Sequence, residues 1–304
     1  MSCLFGCAKH KQFTKLSLKN MDIHYNILLE VYTAGRLRNK TDDWRQNMKY
    51  YIPTKVYQEI DAVKTHAEEL AGYGSCALIV TGKYSARANG ALADVEAALD
   101  AYGKKHVQYD EIEENPSVET VMKATEFGKR NGVDFVIAIG GGSPMDAAKA
   151  IAIMLANPEK DADYLYENVA HTKALPVVTI PTTCGTGSEV TGVAVLTVHA
   201  KRTKASLPHR VFPVFALADP KYLKTASKKV IGQTAIDALG HMIESYLNTT
   251  ATDYSRMFVD QGLKVWARSK DALLGMREMT DKDYSNFLLA STLAGMAIAQ
   301  TGTT

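Results

Sequence analysis

Short apolar runs alternate with amphipathic segments over the first two thirds of the chain, which predicts strands and helices in turn. The runs that predict strands cover residues 77–81, 106–109, 135–139, 176–180, 193–198 and 214–218. Between them, residues 90–102, 117–130 and 143–156 have apolar positions at helical spacing. This alternation implies βαβ units, and therefore an α/β domain built on a Rossmann-like, doubly wound parallel sheet.

After Pro220 the strand pattern stops and only helical periodicity remains, over residues 227–247, 254–274 and 283–300. We therefore predict an α/β domain over residues 48–225, followed by a helical domain over residues 226–304. Residues 1–47 are polar and lack clear periodicity. For them we predict a poorly structured extension, with the folded part beginning near residue 48.

A glycine turn lies in the segment 134–149, which reads DFVIAIGGGSPMDAAK. Without side chains, Gly140 to Gly142 let a ligand approach the backbone closely. We predict Ser143 as the N-cap of the next helix, Pro144 as its first residue and Asp146 in capping-box position. Free N–H groups and a helix dipole at such a turn favour a bound phosphate, and the alternative is an ordinary strand-to-helix turn.

The glycine turn does not identify the nucleotide by itself. The third glycine of the GxGxxG fingerprint is replaced by Met145, and the Walker lysine pattern is also absent. A second loop, Thr182 to Thr191, is rich in hydroxyl groups and glycine and follows another predicted strand. Ligands of open α/β sheets bind outside the carboxyl ends of the strands, so we expect the two loops to converge on one ligand. The alternative is a solvated polar loop.

Composition narrows the class of function. A net charge of +2, without a basic stripe interleaved with aromatic residues, argues against nucleic acid as a partner. No apolar run has the length of a membrane span, and the N-terminus lacks the pattern of a secretory signal. Cys3, Cys7, Cys76 and Cys184 are scattered, as expected for reduced thiols in the cytoplasm. Cys3 and Cys7 could be two ligands of a structural metal site, but the sequence has no second pair of cysteines to complete it.

Asp237 and His241 are four residues apart on a predicted helix, and hence on one face. A carboxylate oxygen and an imidazole nitrogen supply half of a divalent metal site. With Thr234 and Glu244, however, they also form one polar stripe, which is typical of a solvated helix face. The spacing alone favours the solvated stripe.

Other candidates for catalysis are few. His199 and His209 fall in a basic stretch rich in loops, and we expect both at the surface. The Gly-x-Ser-x-Gly elbow of a serine hydrolase is absent. The sequence therefore singles out no catalytic side chain.

Three motifs in the same order resemble the iron-containing alcohol dehydrogenase family. They are GGGSPMDAAKA at 140–150, PTTCGTGSEVT at 181–191 and DALGHMIESY at 237–246. ENPSVETV at 114–121 and ALADPKYL at 216–223 agree with the same family. The resemblance runs from about residue 48 to residue 304. It implies a dinucleotide-binding α/β domain followed by a helical metal-binding domain, here incomplete.

The resemblance implies that a nicotinamide dinucleotide, NADP or NAD, binds at the glycine turn. Its pyrophosphate would be held by Gly141, Gly142, Ser143, Pro144 and Met145. Its ribose and nicotinamide would be lined by Asn115, Thr182, Thr183, Thr186, Val195 and Lys204.

Position 82 bears on the choice of dinucleotide. Many members of the family have an aspartate where this chain has Gly82, and that aspartate would accept hydrogen bonds from the adenosine 2′-hydroxyl. With glycine there, a 2′-phosphate meets no repelling carboxylate, and Lys83 is the next residue. We therefore expect NADP(H) to be tolerated or preferred.

Asp237 and His241 match the first two of the family's four metal ligands, and the resemblance reverses the preference for a solvated stripe. The metal implied is Fe²⁺ or Zn²⁺, acting as a Lewis acid on a small primary alcohol or its aldehyde. Hydride would pass between that substrate and the nicotinamide, with no protein group as donor. The resemblance thus implies a metal-dependent alcohol dehydrogenase or aldehyde reductase, and a homodimer, since relatives are commonly dimers.

The chain departs from the family at its end. Two further histidine ligands would follow the segment LAGMAIAQTGTT, but the sequence stops at Thr304 and has no histidine after His241. We expect a truncated product, with the apolar faces of residues 287–298 left without partners. The alternatives are a site completed by another subunit and a catalytically inactive remnant that binds NAD(P) only. A third alternative, a relative of glycerol dehydrogenase or dehydroquinate synthase, fits the PTTCGTGSEVT segment less well.

Overall fold

The structure is a computed structural model and describes residues 49–302. The predicted extension at 1–47, with Cys3 and Cys7, lies outside the described residues. The strands are β1 Lys55–Tyr57, β2 Cys76–Thr81, β3 Lys105–Tyr109, β4 Phe135–Gly140, β5 Val177–Pro181, β6 Val195–Val198, β7 Thr203–Ser206 and β8 Phe215–Leu217. Six of them form one parallel sheet in the order β1-β8-β5-β4-β2-β3, which confirms the predicted fold class.

Ten helices accompany the strands within the described residues. They are α1 Ala62–Thr65, α2 Ala67–Ala71, α3 Ser85–Ala88, α4 Ala91–Ala101, α5 Val118–Asn131, α6 Gly142–Ala156, α7 Lys228–Leu247, α8 Asp253–Ala267, α9 Lys270–Leu273 and α10 Asp281–Thr301. Short 3₁₀ turns cover Ala162–Tyr166, Ser188–Val190, His199–Lys201 and Pro220–Leu223. Every helix of residues 49–302 is too short or too polar to cross a bilayer.

The sheet is buried on both faces, which explains the unbroken apolar runs of its central strands. Every residue of β2, β4 and β5 is buried. Leu78 and Val136 point into a core that includes residues of α6. Ile79 and Ile137 point into a second core on the opposite face, with residues of α4. Because all six strands run in one direction, their carboxyl ends meet at one edge.

Helix α5 has the ends that the sequence predicts. The Ser117 hydroxyl accepts a hydrogen bond from Thr120 N, which satisfies one of the free amides of the first turn. At the other end, Gly132 closes the helix with a φ of 63°, a left-handed conformation that glycine adopts without strain. The predicted helix over 117–130 is therefore confirmed.

The predicted start of α6 is wrong by two residues. Gly141, not Ser143, is the N-cap, and the helix begins at Gly142. The Ser143 hydroxyl instead accepts a hydrogen bond from Asn115 N at 3.1 Å. Asp146 takes no part in a capping box, because its carboxylate accepts from Ser188 Oγ and Val195 N. Tertiary partners of both side chains override the local capping pattern.

The strand predicted over residues 193–198 is present as β6, but it lies outside the main sheet. It pairs antiparallel with β7 in a separate two-stranded ribbon. The sequence missed β7, whose four residues are mostly exposed, and β1, a three-residue edge strand. Neither has the buried apolar run by which a central strand is recognised.

The helical part has its own core between α7, α8 and α10. Trp266 and Phe287 lie there edge to face with ring centroids 6.2 Å apart, and the indole of Trp266 donates to Ala235 O at 2.8 Å. The predicted helix over 254–274 is divided into α8 and α9. The expectation that residues 287–298 lack partners is wrong, because α10 packs on α7 and α8 and buries Phe287 and Ile298.

Candidate functional site

The glycine turn and the loop Thr182–Thr191 lie against each other at the carboxyl edge of the sheet. A β-carbon added to Gly141 would stand 2.9 Å from Thr183 Oγ1, and one on Gly142 would stand 2.8 Å from Thr186 Cγ2. Thr182 N also donates to Gly140 O at 2.9 Å. The two loops therefore converge, as the sequence predicts.

The first turn of α6 offers backbone rather than side chains to a phosphate. Pro144 and Met145 are buried, whereas Gly141, Gly142 and Ser143 remain partly exposed. The amides at the start of a helix have no acceptor within the helix, and its dipole is positive at this end. The exposed turn can therefore bind an anion through N–H groups.

Asn115 connects the glycine turn to the β6–β7 ribbon. Its φ of 59° is left-handed, and its backbone N donates to Ser143 Oγ at 3.1 Å. Its carbonyl oxygen accepts from Thr197 Oγ1 at 2.8 Å, and its side-chain oxygen accepts from Lys204 Nζ at 2.7 Å. Asn115, Ser143 and Lys204, which the family resemblance assigns to one cofactor site, are thus neighbours in space.

Gly82 lies beside the glycine turn, because it follows β2, the neighbour of β4, and Thr81 is paired with Ile139. A β-carbon on Gly82 would meet only Ile112 O, at 3.5 Å, so the position has room for a side chain. Lys83 is exposed. Arg87, which the sequence analysis missed, is a second exposed cation near this strand end.

Arg87 is tethered within a chain of hydrogen bonds at the ends of β2 and β3. Its guanidinium donates to Gln108 Oε1, and Gln108 Nε2 donates to Thr81 Oγ1 at 3.1 Å. The carboxylate of Asp110 lies 3.6 Å from the same guanidinium. No periodic pattern in the sequence indicates this cluster, because it depends on the pairing of two strands.

The loop Thr182–Thr191 also touches α7, the helix of the predicted metal ligands. A β-carbon on Gly185 would stand 3.0 Å from Thr234 Cβ and 3.1 Å from Asp237 Oδ2. Cys184 is fully buried, and its Sγ lies 3.2 Å from Thr234 Oγ1. Burial raises the pKa of the Cys184 thiol to about 12, which keeps the free thiol protonated at neutral pH.

Asp237 and His241 are half-buried and lie one turn apart on α7. His241 Nδ1 is buried and has no hydrogen-bond partner among the described residues. A buried imidazole nitrogen without a partner is costly unless a ligand satisfies it. One carboxylate and one imidazole suit Fe²⁺ or Zn²⁺ as two ligands. Within residues 49–302 no third His, Cys, Asp or Glu joins such a group.

Lys149 forms a buried charged network that the sequence analysis missed. Its side chain is fully buried on helix α6, where the residues from Ala147 to Ala156 are otherwise apolar. The ammonium donates to Ser188 Oγ at 2.7 Å and to the carbonyls of Ser188 and Val193, each at 2.9 Å. Burial lowers the pKa of Lys149 to about 8, although the carboxylates of Asp146 and Glu189 act in the opposite direction. A lone lysine within an apolar helical run was the signal.

Helix α10 is fixed to the same loop at two points. The buried Glu189 carboxylate accepts from Thr292 Oγ1 at 2.8 Å, and burial raises the pKa of Glu189. A β-carbon on Gly187 would stand 2.5 Å from Gly295 Cα, so the two backbones are in direct contact. The helical part therefore closes over the loop and excludes water from its inner side.

His209 is not at the surface, which corrects the sequence expectation. The ring is 2 % exposed, with Nε2 2.9 Å from Tyr164 O and Nδ1 3.4 Å from Thr172 Oγ1. These partners and the Tyr164 ring, 5.1 Å away, explain why an imidazole is stable there. His199 is exposed, as expected.

Comparison with known proteins agrees with the motifs. Residues 53–220 match the family described as iron-containing alcohol dehydrogenase, and residues 231–304 match the C-terminal part of the Fe-containing alcohol dehydrogenase family. The chain is 36% identical over 222 residues to long-chain primary alcohol dehydrogenase AdhA of Thermoanaerobacter ethanolicus, covering 72% of this chain and 55% of that protein. It is 31% identical over 252 residues to NADH-dependent butanol dehydrogenase B of Clostridium acetobutylicum, covering 82% and 64% respectively.

Solved structures give the same result. An iron-containing alcohol dehydrogenase from Thermotoga maritima superposes with a TM-score of 0.79 at 39% identity, over 84% of this chain and 70% of that one. A sulfoacetaldehyde reductase from Bifidobacterium kashiwanohense in complex with NAD⁺ superposes with a TM-score of 0.76 at 25% identity, over 85% and 69%.

Proposed function

The chain belongs to the iron-containing alcohol dehydrogenase family, and we propose that it transfers hydride between NAD(P) and a small primary alcohol or aldehyde. One observation carries the proposal: the loop Thr182–Thr191 touches both the glycine turn and the helix of the candidate metal ligands. Thr186 lies against Gly142, and Gly185 lies against Asp237. A dinucleotide held at the turn would therefore reach a substrate held beside α7.

For the dinucleotide, we propose that the backbone amides of the partly exposed residues Gly141, Gly142 and Ser143 bind the pyrophosphate. Thr183 and Thr186, both partly exposed, would contact the nicotinamide half together with Val195. Two relatives from Clostridium acetobutylicum are named as NADH-dependent, which supports NAD(H) as a cofactor. The open space at Gly82 supports our proposal that NADP(H) is tolerated or preferred.

For the metal, we propose that Asp237 and His241 contribute two ligands, which fits the unpartnered Nδ1 of His241. Fe²⁺ or Zn²⁺ bound there would supply a Lewis acid for the oxygen of the alcohol or aldehyde. The Asp237 carboxylate would hold the metal next to Gly185, which lies directly against it.

Assembly and location are further parts of the proposal. We propose a homodimer, which sedimentation of the purified chain would test. We propose the cytoplasm as its compartment, because Cys76 and Cys184 are buried free thiols and no disulfide links them.

The test is aldehyde-dependent oxidation of the reduced cofactor. The chain is purified without oxygen, loaded with Fe²⁺ or Zn²⁺, and mixed with NADPH or NADH and butyraldehyde. We expect oxidation that needs the metal, the aldehyde and the cofactor together. Cofactor binding with no turnover under any metal would overturn the proposal.

A second candidate is a protein that binds NAD(P) without catalysis. The observation that favours it is the absence, within residues 49–302, of a third metal-ligating side chain near Asp237 and His241. The chain also spans 55% and 64% of the first two relatives, so the whole activity of those proteins is proposed rather than shown for it. Metal analysis separates the candidates, since the binding protein would hold cofactor but no stoichiometric iron or zinc.

A further inference from the structure

We infer that Lys149 is a positioning residue that holds the segment Ser188–Val195 in register with the phosphate-binding helix, so that both halves of a dinucleotide are bound at once. The inference rests on the proposed function, because it requires a nicotinamide dinucleotide in this cleft. It concerns how the nicotinamide half is aligned, and it assigns Lys149 no contact with the cofactor.

The contacts of Lys149 are complete without any ligand. An ammonium has three hydrogens, and three acceptors lie within 2.9 Å: Ser188 Oγ, Ser188 O and Val193 O. Thr191 Oγ1 is also near, at 3.4 Å. One side chain from α6 thus fixes the start, the middle and nearly the end of the segment.

Asp146, one turn earlier on α6, fixes the same segment from the other side. Its Oδ1 accepts from Ser188 Oγ at 2.7 Å and its Oδ2 accepts from Val195 N at 3.0 Å. The Lys149 ammonium lies 3.8 Å from Asp146 Oδ1. Lys149 and Asp146 therefore both bind the Ser188 hydroxyl, and together they fix the segment at Ser188 and at Val195.

The segment connects the two halves of the proposed cofactor site. At its start, Ser188 N donates to Thr186 Oγ1 at 3.3 Å, and Thr186 lies against Gly142 of the pyrophosphate turn. At its end, Val195 lies where the nicotinamide is proposed to bind. A shift of the segment would therefore displace the nicotinamide face while leaving the turn itself in place.

Stability alone does not account for a lysine here. Burial of an ammonium carries a large desolvation cost, and an apolar side chain of similar volume often replaces a buried ion pair without loss of stability. The rest of α6 that faces the core is apolar, including Ala148, Ile151 and Ile153. A geometric requirement of the segment explains the charge better than packing does.

The experiment compares two ligands that share every group except the nicotinamide. Dissociation constants for NADPH and for 2′-phospho-ADP-ribose are measured by titration calorimetry on the full chain and on Lys149→Met. If the wild type prefers NADH, then NADH and ADP-ribose replace them. We expect the affinity of Lys149→Met for NADPH to fall by about tenfold or more, because the released segment no longer holds the nicotinamide face in place. The affinity for 2′-phospho-ADP-ribose should change by less than about twofold, since distant sites act independently.

Lys129→Met is the matched control. Lys129 also pairs with an acidic residue three positions earlier, Glu126 at 2.9 Å, but it lies on α5 and is partly exposed. It should leave both dissociation constants unchanged. Should Lys149→Met fail to fold, Ser188→Ala carries the test, because it removes only the hydroxyl that Lys149 and Asp146 share. Ser188→Ala should then weaken NADPH more than 2′-phospho-ADP-ribose, with a smaller loss of affinity than Lys149→Met.

Equal weakening of both ligands, or no weakening of either, would overturn the inference and leave Lys149 as a structural residue. The proposed function survives those results. If instead the wild-type chain binds neither ligand, the proposed function fails and the inference fails with it.

Discussion

Gly185 lies directly against the carboxylate of Asp237: a β-carbon at Gly185 would stand 3.1 Å from Asp237 Oδ2. The same β-carbon would stand 3.0 Å from the backbone oxygen of Thr234, so it meets α7 at two points. The loop of the proposed nicotinamide site and the helix of the proposed metal ligands are therefore one packed unit. A side chain at position 185 must therefore displace the loop or the α7 residues Thr234 and Asp237.

The variant Gly185→Ala tests this contact. We expect loss of metal retention, because the added methyl group pushes the loop away from α7 or turns the Asp237 carboxylate aside. The free energy of unfolding should fall by about 1–3 kcal/mol, as for other overpacked positions. Metal content after dialysis and chemical denaturation measure the two effects.

Gly240→Ala is the control for Gly185→Ala. Gly240 lies on the same helix, and a β-carbon there would meet nothing within 4 Å. Alanine in the interior of a helix should raise stability by up to about 1 kcal/mol and leave metal retention unchanged. Equal metal loss in the two variants would show that Gly185 has no special relation to Asp237.

Gly82→Asp should move cofactor preference towards NAD(H). The position has room for a side chain, and a carboxylate there would accept from ribose hydroxyls and repel a 2′-phosphate. We expect the ratio of the dissociation constants of NADPH and NADH to rise by about tenfold or more, which corresponds to about 1.4 kcal/mol. An unchanged ratio would place the adenosine ribose away from Gly82.

Gly187→Ala should destabilise the fold strongly, because the helical part meets the loop there. Its φ of 61° is left-handed, and a β-carbon would overlap Gly295. Gly132→Ala is the matched control, with a φ of 63° and open space around it. The control should cost about 1–2 kcal/mol from the backbone alone, and Gly187→Ala should cost several kcal/mol in denaturation experiments. Similar losses would mean that the contact with Gly295 adds nothing.

Protonation of the Asp283 carboxylate should lower the stability of the protein in acid. Two hydrogen bonds from the Arg277 guanidinium, at 2.6 and 2.7 Å, hold the pKa of Asp283 well below its usual value. Because the folded pKa is depressed, this stabilisation is complete above the unfolded pKa of about 4 and declines as the pH falls below it. Asp283→Asn should lower the free energy of unfolding by about 1–3 kcal/mol at neutral pH. The difference from the wild type should shrink below about pH 4. If the two free energies of unfolding differed by the same amount at every pH, the ion pair of Asp283 with Arg277 would not be the source of the difference.

Much of the α/β domain can be predicted from the sequence because its signals are local. The buried runs of β2, β4 and β5 and the capping of α5 by Ser117 depend on neighbouring residues only. The ribbon of β6 and β7 could not be predicted, because its pairing is tertiary and its second strand is exposed.

The site shows the same division. The sequence pattern brings the glycine turn and the loop Thr182–Thr191 to one edge, because parallel strands end there together. The start of α6 was misplaced, since Ser143 and Asp146 use distant partners that no local pattern reveals. Lys149, Arg87 and the buried His209 were missed or misplaced for the same reason: their surroundings come from segments far away in the chain.

Metal-dependent turnover in His241→Ala tests the central claim most directly. Bound iron or zinc and butyraldehyde-dependent NADPH oxidation are measured on the wild type, on His241→Ala and on Glu244→Gln, a control one turn further along α7. We predict that His241→Ala loses both the metal and turnover while it binds NADPH as the wild type does, and that Glu244→Gln keeps all three. Equal metal content and equal turnover in the wild type and His241→Ala would contradict the account.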